Sequence, residues 1–447
     1  MIYDDIISRF RNSKDKIAFY FDDNEYTYYW LSQKINYWTK FFINNKINEK
    51  EILFLKTENN PNAIAILLSC MVNKIILIPV TPSQFNKTDK LIEICTPNYL
   101  LDLTENEAKI SELSFNKNKL YNKLDKLNSG GLVLFSSGTT GKSKGTLHSF
   151  KNLLFKYQKL RKDHRTLSFM FIDHIGGIDT LLYCLSNTST IIIVNDRSPD
   201  IICKLIEKYK VEILPTTPSF LNLLILSEAF KKYNLSSLKY ITYGTEPMPE
   251  HTLKKCNLIF KGVNIIQKFG ATEVGTLGSK SKSSSSIWIK LGGLGFETRV
   301  RENKLEIKSK SSMVGYLNAP SPFTEDGWFK TNDRVEVKNG YYKILGRESE
   351  IINVGGEKVF PSEVENIILE LNEIKDVTIF GSTNPILGNI VCAEIVLISD
   401  NINKMKIKKL IKEYCSSKLE NFKVPVKIKF TEDNQHSERF KKLRLNL

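Results

Sequence analysis

Apolar runs and helical stripes alternate along the first half of the chain. Glu51-Ile52-Leu53-Phe54-Leu55 and Ile75-Ile76-Leu77-Ile78-Pro79-Val80 read as buried strands, while residues 29–42 and 62–71 carry helical spacing. The alternation continues with a strand at 190–194, a helix at 199–209, a strand at 211–214, a helix at 218–229 and a strand at 238–243. Buried strands separated by helices predict parallel sheets covered on both faces, an α/β architecture of two doubly wound sheets. From residue 288 to 343 the texture changes to short alternating segments, including 296–300 and 304–308, which predicts a small antiparallel β-barrel. After Gly346-Arg347 come helical stripes at 362–370 and 404–419 and strands at 377–380 and 390–397. They predict a separate α+β domain over residues 347–447 behind a large domain of residues 1–346.

Composition narrows the class. The 447 residues are 41% hydrophobic and 25% charged, which suits a large globular core without a disulfide or metal staple. The longest strongly apolar stretch, 63–72, falls far short of the ~20 residues that span a bilayer, so no integral membrane contact is expected. The opening Met1-Ile2-Tyr3-Asp4-Asp5 is acidic, and no signal peptide is expected from it. Seven scattered cysteines without a CxxC pair exclude a disulfide scaffold and a zinc finger, and predict a cytoplasmic protein. A formal charge of +15 would attract polyanions, but the lysines are dispersed and no arginine-rich block with interleaved aromatics appears. The charge reads as a lysine-solvated surface, with no nucleic-acid partner expected. The serine-rich patch at 281–286 reads as a loop.

Candidate chemistry begins at Leu132-Val133-Leu134-Phe135, a buried strand followed at once by Ser136-Ser137-Gly138-Thr139-Thr140-Gly141-Lys142-Ser143-Lys144-Gly145. Its glycines let the backbone turn N–H groups toward a phosphate, and its hydroxyls and lysines add donors and positive charge. A Walker A loop is excluded, because the glycine required five residues before Gly141 is Ser136. The spacing instead resembles the phosphate loop of the adenylate-forming, AMP-binding enzymes: acyl- and aryl-CoA ligases, peptide-synthetase adenylation domains and luciferases. Ser143 stands where that family usually has proline. Further motifs follow in the family's order across residues 26–444.

The resemblance implies a role for each motif. Thr139 and Lys144 would act on the phosphates, with Ser136, Ser137, Gly138, Thr140 and Gly141 completing the cradle. Tyr243-Gly244-Thr245-Glu246-Pro247 is similar to the adenine-binding turn. In Phe269-Gly270-Ala271-Thr272-Glu273, Phe269 and Gly270 would lie against the adenine and the acid, Thr272 near the α-phosphate, and Glu273 would hold Mg²⁺, a hard ion that takes carboxylate oxygen. Asp333 matches the aspartate that accepts the ribose hydroxyls, with Asn332 in place of the usual glycine, and Arg347 matches a second ribose contact. Lys441 registers with the family's catalytic lysine, although Phe440 replaces the preceding glycine and Lys442 stands beside it. Ser349 occupies the hinge position, which implies that the α+β domain of residues 347–447 is mobile; Glu348 and Glu350 around it are expected to face solvent.

Asp173-His174-Ile175-Gly176-Gly177 resembles the His-x-Gly-Gly segment of acyl- and aryl-CoA ligases. His174 there disfavours an ordinary α-amino acid, whose ammonium needs a carboxylate partner, while a shift of one residue would bring Asp173 into that place. Gly355-Gly356 resembles part of the pantetheine tunnel and reads equally as a hairpin turn before a helix opened by Pro361. The resemblance implies an ATP-dependent acid–thiol ligase with ATP, Mg²⁺ and CoA or phosphopantetheine as cofactors. The alternatives are a stand-alone adenylation enzyme that loads an acyl or peptidyl carrier protein, and a nucleotide-binding relic without catalysis.

Overall fold

A computed structural model describes residues 2–104, 108–137, 143–399 and 401–432. Two seven-stranded sheets form its larger part. The first runs Asn264–Gln267, Tyr240–Tyr243, Ile213–Thr216, Thr166–Ser168, Ile191–Ile193, Ile17–Phe21 and Asn24–Thr27, parallel except for the last pair. The second runs Gly315–Tyr316, Ser143–Ser149, Gly131–Ser137, Ile76–Val80, Ile52–Lys56, Tyr99–Asp102 and Lys109–Glu112, with four central strands parallel and the edges antiparallel. The strand that leaves the phosphate loop therefore returns beside the one that enters it, as a hairpin, and no helix follows the loop.

Local chemistry explains the helices between the sheets. Thr27 accepts a hydrogen bond from Trp30 N and so caps Tyr28–Asn44. Asn60 caps Pro61–Val72, where proline sits in the first turn without losing a needed donor. This second helix is apolar nearly all round because it lies in the core between the two sheets. The core also takes Phe19, Leu53, Leu77, Leu134 and the helix Ile175–Ser186. A second cluster fills the other face of the first sheet with Leu167, Leu214, Ile241 and Ile265.

The alternating segments form a six-stranded antiparallel sheet around Leu305, Ile307 and Val335. Ile352–Val354, Glu357–Val359, Ile374–Asn384, Gly388–Leu397 and Lys427–Phe430 form a further sheet, which shares a core with Pro361–Ile368 and Lys404–Lys418. All seven cysteines are buried and unbridged. Burial pushes the thiols of Cys184, Cys203 and Cys256 up to about 12, which leaves no thiolate nucleophile among them at neutral pH. No helix among the described residues is long and apolar enough to cross a membrane.

Candidate active site

The hairpin Gly131–Ser137/Ser143–Ser149 brings Ser136 opposite Lys144 and Ser137 opposite Ser143. Gly138, Thr139, Thr140 and Gly141 lie outside the described residues, as does Lys441. The exit of the loop is held from a distance of 173 residues in sequence, where Gly145 N donates to Asn318 Oδ1 at 3.0 Å. Asn318 Nδ2 donates in turn to Ser143 O at 2.9 Å, and Leu317 N to Gly145 O at 2.8 Å. The same edge strand carries Tyr316, whose ring lies 5.2 Å from Lys144 Nζ, within cation–π range.

Glu273 sits at the tip of a small hairpin in which Gly270 pairs with Thr276 and Ala271 with Gly275. The pairing is tight at Gly270, where a Cβ would meet Thr276 Cα at 2.8 Å, so only glycine fits. The hairpin is gripped from behind. Asp179 Oδ2 accepts from Thr276 N at 2.6 Å, Lys156 Nζ donates to Thr276 O at 3.0 Å, and Lys156 and Asp179 form a buried ion pair at 2.7 Å. In front, the Tyr316 hydroxyl donates to Glu273 Oε1. Burial and the Glu273 carboxylate drive that phenol far above its ordinary pKa, so it stays a donor. Among the described residues no group of three or more His, Cys, Asp or Glu side chains is placed to hold a metal ion, and Glu273 is the carboxylate at this place. That donor set suits Mg²⁺, which uses one or two carboxylates and completes its shell from phosphate and water.

Phe269 is half-buried against the antiparallel sheet's core. Thr272, half-buried, faces the buried His148 with its main chain. Gly244 follows the strand Tyr240–Tyr243, and Thr245 comes next with φ of +77°, a left-handed conformation rare for a threonine and of the kind concentrated at functional sites. Glu246 accepts from Ser219 N at 2.8 Å, at the start of the helix Pro218–Ser227.

Asp333 and Arg347 face each other across an antiparallel strand pair, with Arg347 Nε 3.6 Å from Asp333 Oδ1. Asn332, at φ of +58°, adopts the left-handed turn that the family's glycine would make, and asparagine tolerates it. Burial raises the Asp333 carboxyl to about 6; Arg347 pulls the other way, and Glu350 and Glu273 add to the rise.

His174 caps the helix Ile175–Ser186, its Nδ1 accepting from Gly176 N at 3.0 Å, so the ring proton belongs on Nε2 when the imidazole is neutral. Asp173 is only 2% exposed and accepts from Thr81 Oγ1 at 2.7 Å and Gln84 Nε2 at 2.9 Å. Its carboxylate is committed to the scaffold. Gly355 and Gly356, at φ of +61° and +96°, form the turn of the hairpin Ile352–Val354/Glu357–Val359. Ser349 lies exposed in the single turn Glu348–Glu350. The expectation that Glu348 faces solvent is corrected: it accepts from Arg334 Nε and from Arg334 Nη2 at 3.1 Å, a two-pronged ion pair that ties the turn to the strand Phe329–Lys338. Glu350 is likewise half-buried and acts on Asp333.

Tyr316, Asn318, Lys156 and Asp179 carry no motif of their own in the sequence. Each reaches the site through a strand or helix that only folding delivers.

Comparison with known proteins gives the frame. The chain is 28% identical over 335 residues to acyl-CoA synthetase 7 of Caenorhabditis elegans, covering 67% of this chain and 61% of that one. It is 24% identical to 2-succinylbenzoate–CoA ligase of Enterococcus faecalis over 93% of this chain and 92% of that one. Thus it spans about three fifths of the nematode relative and nearly all of the bacterial one. Among solved structures, anthranilate CoA ligase AuaEII with anthranoyl-AMP superposes with a TM-score of 0.83 at 17% identity, covering 99% of this chain and 95% of that one. The o-succinylbenzoate CoA synthetase MenE of Bacillus subtilis superposes with a TM-score of 0.79 at 18% identity, covering 98% and 97%. These likenesses establish the adenylate-forming fold. The AMP-binding enzyme model matches residues 8–296 and the AMP-binding enzyme C-terminal domain model matches 363–441, so the chain belongs to the AMP-binding enzyme family.

Proposed function

We propose that the protein is an ATP-dependent, AMP-forming acid–thiol ligase. It joins a carboxylic acid to ATP as an acyl-adenylate, releases pyrophosphate, and transfers the acyl group to a thiol, that of CoA. The observation that carries this reading is the convergence around Tyr316: Lys144 over its ring at 5.2 Å, Glu273 on its hydroxyl, and Arg347, paired with Asp333, close enough to act on its phenol. One site then offers a cation for phosphate, a carboxylate for Mg²⁺, and a carboxylate–guanidinium pair for a ribose. Mg²⁺, when bound on Glu273, would neutralise charge on the phosphates.

The attacking group is the substrate's own carboxylate, so no protein nucleophile is needed and positioning supplies much of the rate. Ser136, Ser137 and Lys144, with Gly138 to Gly141 and Lys441, would stabilise charge on the phosphoryl oxygens, where fixed donors do most good. Asp333 would accept the ribose hydroxyls and Arg347 would support it. Gly244 to Glu246 and Phe269 would enclose the adenine, and His174 and Gly270 would border the acid. The thiol arm would pass Gly355-Gly356 after residues 347–447 rotate about Ser349, because one rigid pose can hardly serve both half-reactions.

Acid-dependent ATP–pyrophosphate exchange tests the first half-reaction, and thioester formation with CoA the second. Exchange with no acid in a broad panel would favour a nucleotide-binding relic. Thioester formation on a phosphopantetheine-bearing acidic carrier but not on CoA would favour the carrier-loading reading, which the +15 charge suits no less than it suits CoA. The relatives named as CoA ligases support CoA.

A further inference from the structure

The first sheet has one face closed and one half-open. Leu214, Ile241 and Ile265 point into the second core cluster and are fully or almost fully buried. Their neighbours Ile213, Pro215, Tyr240, Thr242, Ile266 and Lys268 alternate onto the opposite face, and all six are only partly buried. That face is the one the helix Ile175–Ser186 covers farther along the sheet, beside Ile191 and Ile193. Next to Gly244 and Phe269 the sheet therefore presents an apolar wall with a single ammonium in it, where the acid must lie if it is to meet the nucleotide.

The charges in this layer do not balance. The exposed Arg161 and Lys156 both act on Lys268, and Asp179 is already taken by Lys156 at 2.7 Å. The Lys268 ammonium has no carboxylate or hydrogen-bond partner among the described residues, and desolvation, reinforced by Arg161 and Lys156, holds its pKa below the ordinary value. A desolvated cation is kept where an anion arrives to pair with it.

Building on the ligase reading, we propose that the acid substrate is a dicarboxylic acid with an apolar body, and that Lys268 binds the carboxylate that is not adenylated. Lys268 is then a specificity-determining residue, and the apolar wall of Ile213, Pro215 and Ile266 receives the body between the two carboxylates.

The test compares monocarboxylic acids with their counterparts bearing a second, distal carboxylate, using acid-dependent ATP–pyrophosphate exchange for the wild type, Lys268→Gln and Lys268→Arg. The wild type should prefer the diacid of a matched pair by about 10- to 100-fold in kcat/KM, the scale of one charge-assisted contact. Lys268→Gln should erase most of that preference through KM, and Lys268→Arg should restore part of it. Calorimetric titration of a diacid in the presence of a non-hydrolysable ATP analogue should show the same ranking without turnover. Equal use of monoacids and diacids by the wild type overturns the proposal while leaving the ligase reading intact. An equal loss for both classes in Lys268→Gln also overturns it, since Lys268 would then serve the reacting carboxylate or a phosphate. Exchange with no acid of either class removes the ligase reading, and this proposal with it.

Discussion

The Tyr316 hydroxyl donates to the Glu273 carboxylate across 43 residues of sequence. One ring thereby ties the loop lysine to the carboxylate offered to Mg²⁺, since Lys144 lies over its face.

That relationship predicts a graded response. Tyr316→Phe keeps the ring under Lys144 and frees Glu273, at a cost of about 1 kcal/mol in metal positioning. The Mg²⁺ concentration for half-maximal exchange should rise roughly fivefold, with metal-free ATP binding unchanged by calorimetry. Tyr316→Leu removes the ring as well and should also weaken ATP binding. An unaltered Mg²⁺ dependence in Tyr316→Phe would contradict the assignment.

Two buried groups give opposite pH dependences. His148 is fully buried, and burial lowers its pKa from 6.5 to about 4, with the Thr272 main chain pulling the other way. Between those values the unfolded chain binds a proton that the folded one refuses, so this contribution to stability falls as pH drops. Asp333 is raised from 3.8 to about 6, so in that window the folded chain holds the extra proton and stability falls as pH rises. In the wild type the two slopes largely cancel. His148→Leu should gain stability toward pH 4.5 relative to the wild type, and Asp333→Asn should gain about 1–3 kcal/mol toward pH 7.5 while binding AMP more weakly. Urea unfolding at three pH values reads both; pH-independent differences would refute the pairing.

The Arg334–Glu348 pair predicts that Glu348 matters. Glu348→Gln leaves Arg334, whose side chain is 17% exposed, without its counter-charge. With Glu348 about a third exposed, a loss of about 0.5–1 kcal/mol in thermal unfolding is expected, against a negligible change for a fully exposed glutamate.

Ser349→Pro fixes φ near −65° in the turn that follows Arg347. Pyrophosphate exchange and thioester formation should respond unequally, one nearly retained and the other crippled, in a protein with an unchanged melting temperature. Equal slowing of both, or of neither, means the chain does not pivot at Ser349.

Lys441→Ala should slow adenylate formation by orders of magnitude with ATP binding nearly retained, as befits a group that acts on charge developing in the transition state. Lys442→Ala should be mild. The reverse result would shift the register by one residue.

Much of this protein is legible in its sequence because the signals are local. Buried strands such as 52–56 and helices such as 61–72 declare themselves by apolar period and caps. The loop at 136–145, the Phe269 to Glu273 run, Asp333 and Arg347 are recognisable as ordered motifs, and even Asn332 keeps the left-handed turn that its glycine counterpart implies. What the tertiary structure alone decided is which groups share a charge. Strand pairing set Tyr316 against Lys144 and Glu273, an ion pair turned Glu348 from solvent toward Arg334, and Asp173 was drawn away by Thr81 and Gln84. Alternation along Asn264–Gln267 placed Lys268 on a half-open face with Asp179 already claimed by Lys156. Backbone conformation depends on neighbours a few residues away, whereas desolvation and Coulomb energy depend on neighbours in space, which the chain acquires only by folding.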